Sequence, residues 1–168
     1  AKDDDETLER LKDSDIAIIT NKPLSANVID NCKNLEMIDV AFTGVDHVDL
    51  DAVKKNGITL LNASGYSDDS VAELVIGLTI GVMRKFNENR ENIFKGESYP
   101  LMGETLKGKK IGVIGTGNIG IKLIEILKAF DCEVLAYSRT EKDSVKEMGV
   151  SYVDLDTLLK ESDVVSLH

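Results

Sequence analysis

The run Lys-Ile-Gly-Val-Ile-Gly-Thr-Gly-Asn-Ile-Gly at residues 110–120 constrains this chain more than any other stretch. Ile111, Val113 and Ile114 predict a short strand covered on both faces. Gly115, Gly117 and Gly120 follow it in the spacing G-x-G-x-x-G. In that spacing the first glycine allows a tight turn and the second lets a pyrophosphate approach the backbone. The third lets the next helix pack closely on the strand. The helix opened by Asn118 and Ile119 offers unpaired N–H groups and a positive dipole end, which suit a phosphate. Gly-rich turns are common, so the spacing alone is weak. Its surroundings strengthen it: Ile119, Leu123, Ile126, Leu127 and Phe130 recur at helical intervals, and residues 133–137 read as a second strand. The stretch predicts a dinucleotide-binding βαβ unit; the bland alternative is a merely tight βα turn.

The rest of the composition narrows the partners. The 168 residues hold 20 basic and 30 acidic side chains, a formal net charge of -10. Such a charge repels DNA, RNA and anionic membranes, so no nucleic-acid partner is expected. The acidic excess otherwise reads as a solvated surface. Cys32 and Cys132 stand alone, which makes neither a disulfide framework nor a metal cluster and points to a reducing compartment, the cytoplasm. No metal site is expected. The most apolar run, residues 74–83, is far short of the roughly 20 residues that cross a bilayer, so no membrane partner is expected either.

Strand and helix alternate along the chain. Residues 1–12 are charged, with Leu8 and Leu11 as helix anchors, an odd opening for an α/β domain. Strands are expected at 16–19, 37–41 and 58–61. Ser25 and Asp49 are plausible N-caps of the helices between them, and Gly57 ends the second. Residues 70–92 read as one long helix, apolar nearly all round from Leu74 to Met83 and so buried between layers or domains. Residues 95–109 contain Gly96, Pro100, Gly103 and Gly108 and read as a linker. Three further strands follow the first glycine-linked one, at 133–137, 150–153 and 164–167. In the order 3-2-1-4-5-6 they complete strands one to four. Strand four would then have a bare edge, so the sequence reads as a piece of something longer.

The group that reads an adenine ribose stands at the end of the second strand, about 20 residues past the glycines. An acid there would bind both hydroxyls and repel a 2′-phosphate. This chain has Ser138, Arg139 and Thr140 instead. Arg139 can pair with a phosphate bidentately, and the two hydroxyls can donate to it. The cofactor is therefore expected to be NAD(P), leaning to NADP. The alternative is an Arg139 that points into solvent or stacks on adenine while NAD binds.

From about Leu11 to His168 the chain resembles the D-isomer-specific 2-hydroxyacid dehydrogenases. Thr43-Gly44-Val45-Asp46-His47-Val48-Asp49 is similar to the family's G-V-D-x-[IV]-D loop. Asn62-Ala63-Ser64-Gly65-Tyr66 with Ser70-Val71-Ala72-Glu73 is similar to its N-x-x-G…[TA]-V-A-E segment. Gly103-Glu104-Thr105-Leu106-Lys107-Gly108-Lys109 is similar to its G-x-E-L-x-G-K lead-in to the glycine turn. The resemblance implies an α/β fold of two doubly wound parallel-sheet domains. They would be an incomplete flavodoxin-like substrate domain at 1–69, an interdomain helix and linker at 70–102, and the first half of a Rossmann NAD(P)-binding domain at 103–168. It implies hydride transfer between NAD(P)H and C2 of a small 2-keto or 2-hydroxy acid. It also implies a homodimer of the complete protein, with the long helix in the interface.

By the same resemblance the amides of Gly44 and Val45 would hold the substrate carboxylate. That fits what glycine and N–H groups do with anions, although Gly44 also suits an ordinary βα turn. Ser70 stands where the family contacts cofactor and equally where a helix N-cap belongs. Gly115, Thr116, Gly117, Asn118, Ile119 and Gly120 would dock the pyrophosphate, and His168 would line the cofactor ribose. Reduction of a keto acid also needs a cation on the substrate and a proton donor with a pKa near neutral. The family's Arg, and its His oriented by an acid, correspond to no residue of this chain, so no catalytic residue is expected within it and little activity alone. A different class of function is a non-catalytic NAD(P)-binding interaction module like the family's corepressor relatives.

Overall fold

Every strand pair is parallel, as alternation of strands with helices requires. The computed structural model describes residues 1–168. They divide into two compact units, Ala1–Tyr66 and Ser67–His168.

The first unit contains α1 (Asp4–Leu11), β1 (Ile16–Ile19), α2 (Ala26–Asn31), β2 (Met37–Val40), α3 (Leu50–Lys55) and β3 (Thr59–Asn62), with the strands in the order β1-β2-β3. The charged opening is a helix because Asp3 caps it, accepting from the Glu6 N–H, while Leu8 and Leu11 pack on the core. Ser25 and Asp49 cap α2 and α3 through the N–H groups of Val28 and Ala52. Alternate strand residues, Ala17, Ile19, Ile38, Val40 and Leu60, join Val28, Ile29 and Val53 in one core. The other face of β1 carries Ile16 and Ile18, both exposed.

The second unit contains α4 (Asp68–Met83), α5 (Phe86–Phe94), β4 (Lys110–Ile114), α6 (Asn118–Ala129), β5 (Glu133–Tyr137), α7 (Asp143–Glu147), β6 (Ser151–Tyr152), α8 (Leu155–Glu161) and β7 (Val164–Leu167). Its strand order is β6-β5-β4-β7, the 3-2-1-4 half of a Rossmann sheet. Ile111, Gly112 and Val113 of β4 are all buried, the mark of a strand covered on both faces. Leu123, Ile124 and Leu127 of α6 pack with Val134 and Ala136 of β5 in its core, and α4 packs on α6.

Residues 70–92 are not one helix. Lys85 adopts a left-handed conformation, φ 56°, between α4 and α5. The break is held by side chains and backbone from beyond it. The Glu104 N–H donates to the Met83 carbonyl at 3.0 Å, and the Asn89 amide donates to the carbonyls of Arg84 and Leu101. Nor is α4 buried all round. Ala72 and Ile76 are buried, whereas Leu74, Leu78 and Val82 form an exposed apolar face.

Candidate functional site

The turn after β4 is shaped by two of its three glycines. Gly115 has φ 97°, a left-handed backbone that side chains rarely adopt, and a Cβ there would collide with the His168 carbonyl. A Cβ on Gly120 would collide with the Gly115 carbonyl oxygen, so glycine lets α6 start against the turn. Gly117 differs from both. An added Cβ would meet nothing, so the protein itself gives no reason for a bare backbone there. What remains is a surface on which another molecule can lie. Gly117 is the N-cap of α6 and no side chain caps that helix, so its first N–H groups stay open for an anion.

A cleft of about 470 Å³ runs from this turn to the end of β5. It brings together seven of the residues singled out from sequence: Gly115, Thr116, Gly117, Ser138, Arg139, Thr140 and His168. Asn118, Ile119 and Gly120 form the first turn of α6 beside it. Ser70 does not line it. Its hydroxyl donates to the Ser67 carbonyl at 3.0 Å from within the first turn of α4, and Ser67, not Ser70, is the N-cap residue. The His168 ring nitrogen lies 2.9 Å from the Ser166 hydroxyl, and its backbone N–H donates to Ile114.

Sequence reasoning missed two residues here. Lys142 lines the cleft as a second cation beside Arg139. Tyr152 reaches in from β6 and hydrogen-bonds to Thr116. A Lys three residues beyond the arginine was a usable signal; the Tyr152 contact spans 36 positions and left none.

In the first unit the loop between β2 and α3 is tied down at its ends. The Leu24 N–H donates to the His47 carbonyl and the Asp49 N–H to the Leu24 carbonyl. The Asn62 side chain donates to the Thr43 carbonyl at 2.7 Å. Between these ties the N–H groups of Gly44 and Val45 have no acceptor in the protein. Gly44 has no left-handed backbone, and a Cβ would sit 3.4 Å from an Asp46 carboxylate oxygen. Neither a left-handed backbone nor a close approach therefore requires glycine at position 44. The imidazole Nε2 of His47 is enclosed without a hydrogen-bond partner.

Residues 76–168 match the D-isomer specific 2-hydroxyacid dehydrogenase NAD binding domain. This chain belongs to the D-isomer specific 2-hydroxyacid dehydrogenase family. The hydroxypyruvate reductase of Thermotoga maritima is 36% identical over 167 residues, which are 98% of this chain and 54% of that protein. The structure of D-lactate dehydrogenase from Aquifex aeolicus complexed with NAD and lactic acid is similar with a TM-score of 0.90. It has 32% identity and covers 96% of this chain and 50% of its own. An acyclic imino acid reductase, Bsp5, in complex with NADPH and D-Arg, has a TM-score of 0.89 and 31% identity, covering 99% of this chain and 54% of its own. The chain spans about half the length of the curated relatives it matches. No helix is long and apolar enough to cross a membrane.

Proposed function

We propose that the whole protein is an NAD(P)-dependent 2-hydroxyacid dehydrogenase that interconverts a small 2-keto acid and its 2-hydroxy acid. The observation that carries the reading is the uncapped start of α6 beneath Gly117, where the fold leaves both space and N–H groups for a diphosphate. The residues present fit that group. When bound, the nicotinamide cofactor supplies or accepts the hydride at C2 of the acid. This chain's own part is to bind and orient. Gly115 to Gly120 cradle the diphosphate, and His168 borders the ribose. The free amides of Gly44 and Val45 hold a carboxylate, because paired N–H groups in a loop bind anions.

The adenosine end of the cleft favours NADP. Arg139 and Lys142 supply two cations, and Ser138 and Thr140 two hydroxyls, where an NAD-specific site would place an acid. Glu141 does not fill that place, since it pairs with Lys146 at 2.7 Å. Relatives with either cofactor exist: one similar structure holds NAD and another NADPH.

The exposed face Leu74, Leu78 and Val82 of α4 suits a second copy of the chain in a homodimer. Cys32 and Cys132 are both free, and burial pushes both thiols up, which fits a reducing cytoplasm.

By the family resemblance the catalytic Arg and the His–acid pair match no residue of these 168, and the chain assayed alone should show little or no turnover. Steady reduction of glyoxylate or hydroxypyruvate by it would contradict that. The cofactor reading is tested by calorimetric titration with NADPH and NADH side by side. Binding of both, NADPH tighter, is expected; a folded chain that binds neither would remove the proposal.

A further inference from the structure

The loop that carries Arg139 has few attachments of its own. Arg139 is exposed and makes no hydrogen bond or ion pair in the protein. Both ends of the loop, however, are tied to the same glycine turn. At the near end the Gly115 N–H donates to the Tyr137 carbonyl at 2.7 Å. At the far end the Lys142 N–H donates to the Tyr152 hydroxyl at 3.2 Å, and that hydroxyl donates onward to Thr116 Oγ1 at 2.8 Å.

Thr116 is only 2% exposed, so its oxygen has no water to turn to. The Tyr152 hydroxyl is its hydrogen-bond partner. One phenol therefore links the diphosphate turn to the residue that ends the cation-bearing loop. The link sets the span between a diphosphate on Gly117 and the side chains of Arg139 and Lys142. A 2′-phosphate sits at a fixed distance from the diphosphate of the same molecule, so this span decides whether two cations reach it.

We propose that Tyr152 is a positioning residue for NADP discrimination, acting through its hydrogen bonds to Thr116 and Lys142. The inference rests on the reading that Arg139 faces the 2′-phosphate. It adds that a residue outside the loop, on a strand at the sheet edge, holds the loop in the phosphate-reading position. NADH lacks the 2′-phosphate and gains nothing from that position.

The test is a set of titrations with NADPH and NADH on the chain and its variants. Arg139→Ala should erase the preference for NADPH. Tyr152→Phe keeps the ring and removes the hydroxyl; it should weaken NADPH about tenfold and NADH less than about twofold. Thr116→Val removes the acceptor without touching β6 and should shift the ratio the same way, while Thr116→Ser restores it. Should Tyr152→Phe fail to fold, the Thr116 pair decides. Equal loss of both cofactors in Tyr152→Phe and Thr116→Val, or no loss of either, overturns the positioning role while leaving Arg139 in place. A wild-type chain without preference, or an Arg139→Ala chain that keeps it, overturns the underlying reading instead.

Discussion

The two loops proposed to bind anions use glycine differently. After β4, Gly115 and Gly120 are demanded by the protein itself, one by a left-handed backbone and one by the closeness of α6. After β2, Gly44 is demanded by nothing in the protein, and its own N–H and that of Val45 have no acceptor there. The first loop is built into the packing of its unit, so its shape exists before any ligand arrives. The second is held by Leu24 and Asn62 and by Val45 and Val48 packed against the core of its unit, but no left-handed glycine or helix start shapes it.

The contrast predicts a graded series. Gly115→Ala should act most strongly. It places a side chain at φ 97° and against the His168 carbonyl, which costs about 3 kcal/mol or more, read as a lower urea midpoint, and cofactor binding should be lost. A variant as stable as the parent would show that the turn is not rigid. Arg139→Ala should leave the urea midpoint unchanged and cost NADPH about 1.5–3 kcal/mol, the worth of a charged hydrogen bond. Equal weakening of NADH would mean that the guanidinium does not read the phosphate. Asn62→Ala should cost about 1 kcal/mol by removing the hydrogen bond from its amide to the Thr43 carbonyl. In the whole enzyme it should raise KM for the keto acid more than it lowers kcat. Gly44→Ala should change folding little, within about 0.5 kcal/mol. It should nevertheless weaken keto-acid binding, because a methyl group then stands beside the open amides. A large loss of stability in Gly44→Ala would erase the difference between the loops.

Much of the second unit was legible in the sequence. The strand, turn and helix at 110–129 follow from the glycine spacing together with the apolar pattern on either side of it, because Gly115 and Gly120 answer to sterics that every such turn shares. The caps at Ser25 and Asp49 were legible for the same reason, since capping is local. The break at Lys85 was not. A left-handed Lys carries no sequence mark, and its supports come from the Asn89 side chain just beyond it and from Glu104, about 20 residues on. The covering of α4 was misread because composition shows an apolar helix but not how much of it a small unit can cover. Tyr152 was invisible because its partner, Thr116, belongs to a different strand's turn.

A diphosphate is proposed to settle on the open amides of α6. Amide chemical shifts of the chain, followed by NMR through a titration with NADPH, test it most directly. The account predicts saturable shifts concentrated at Gly117, Asn118, Ile119 and Gly120, with a second group at Arg139 and Lys142. A folded chain whose amides at these positions stay unmoved, or move only together with the rest of the surface, would contradict it.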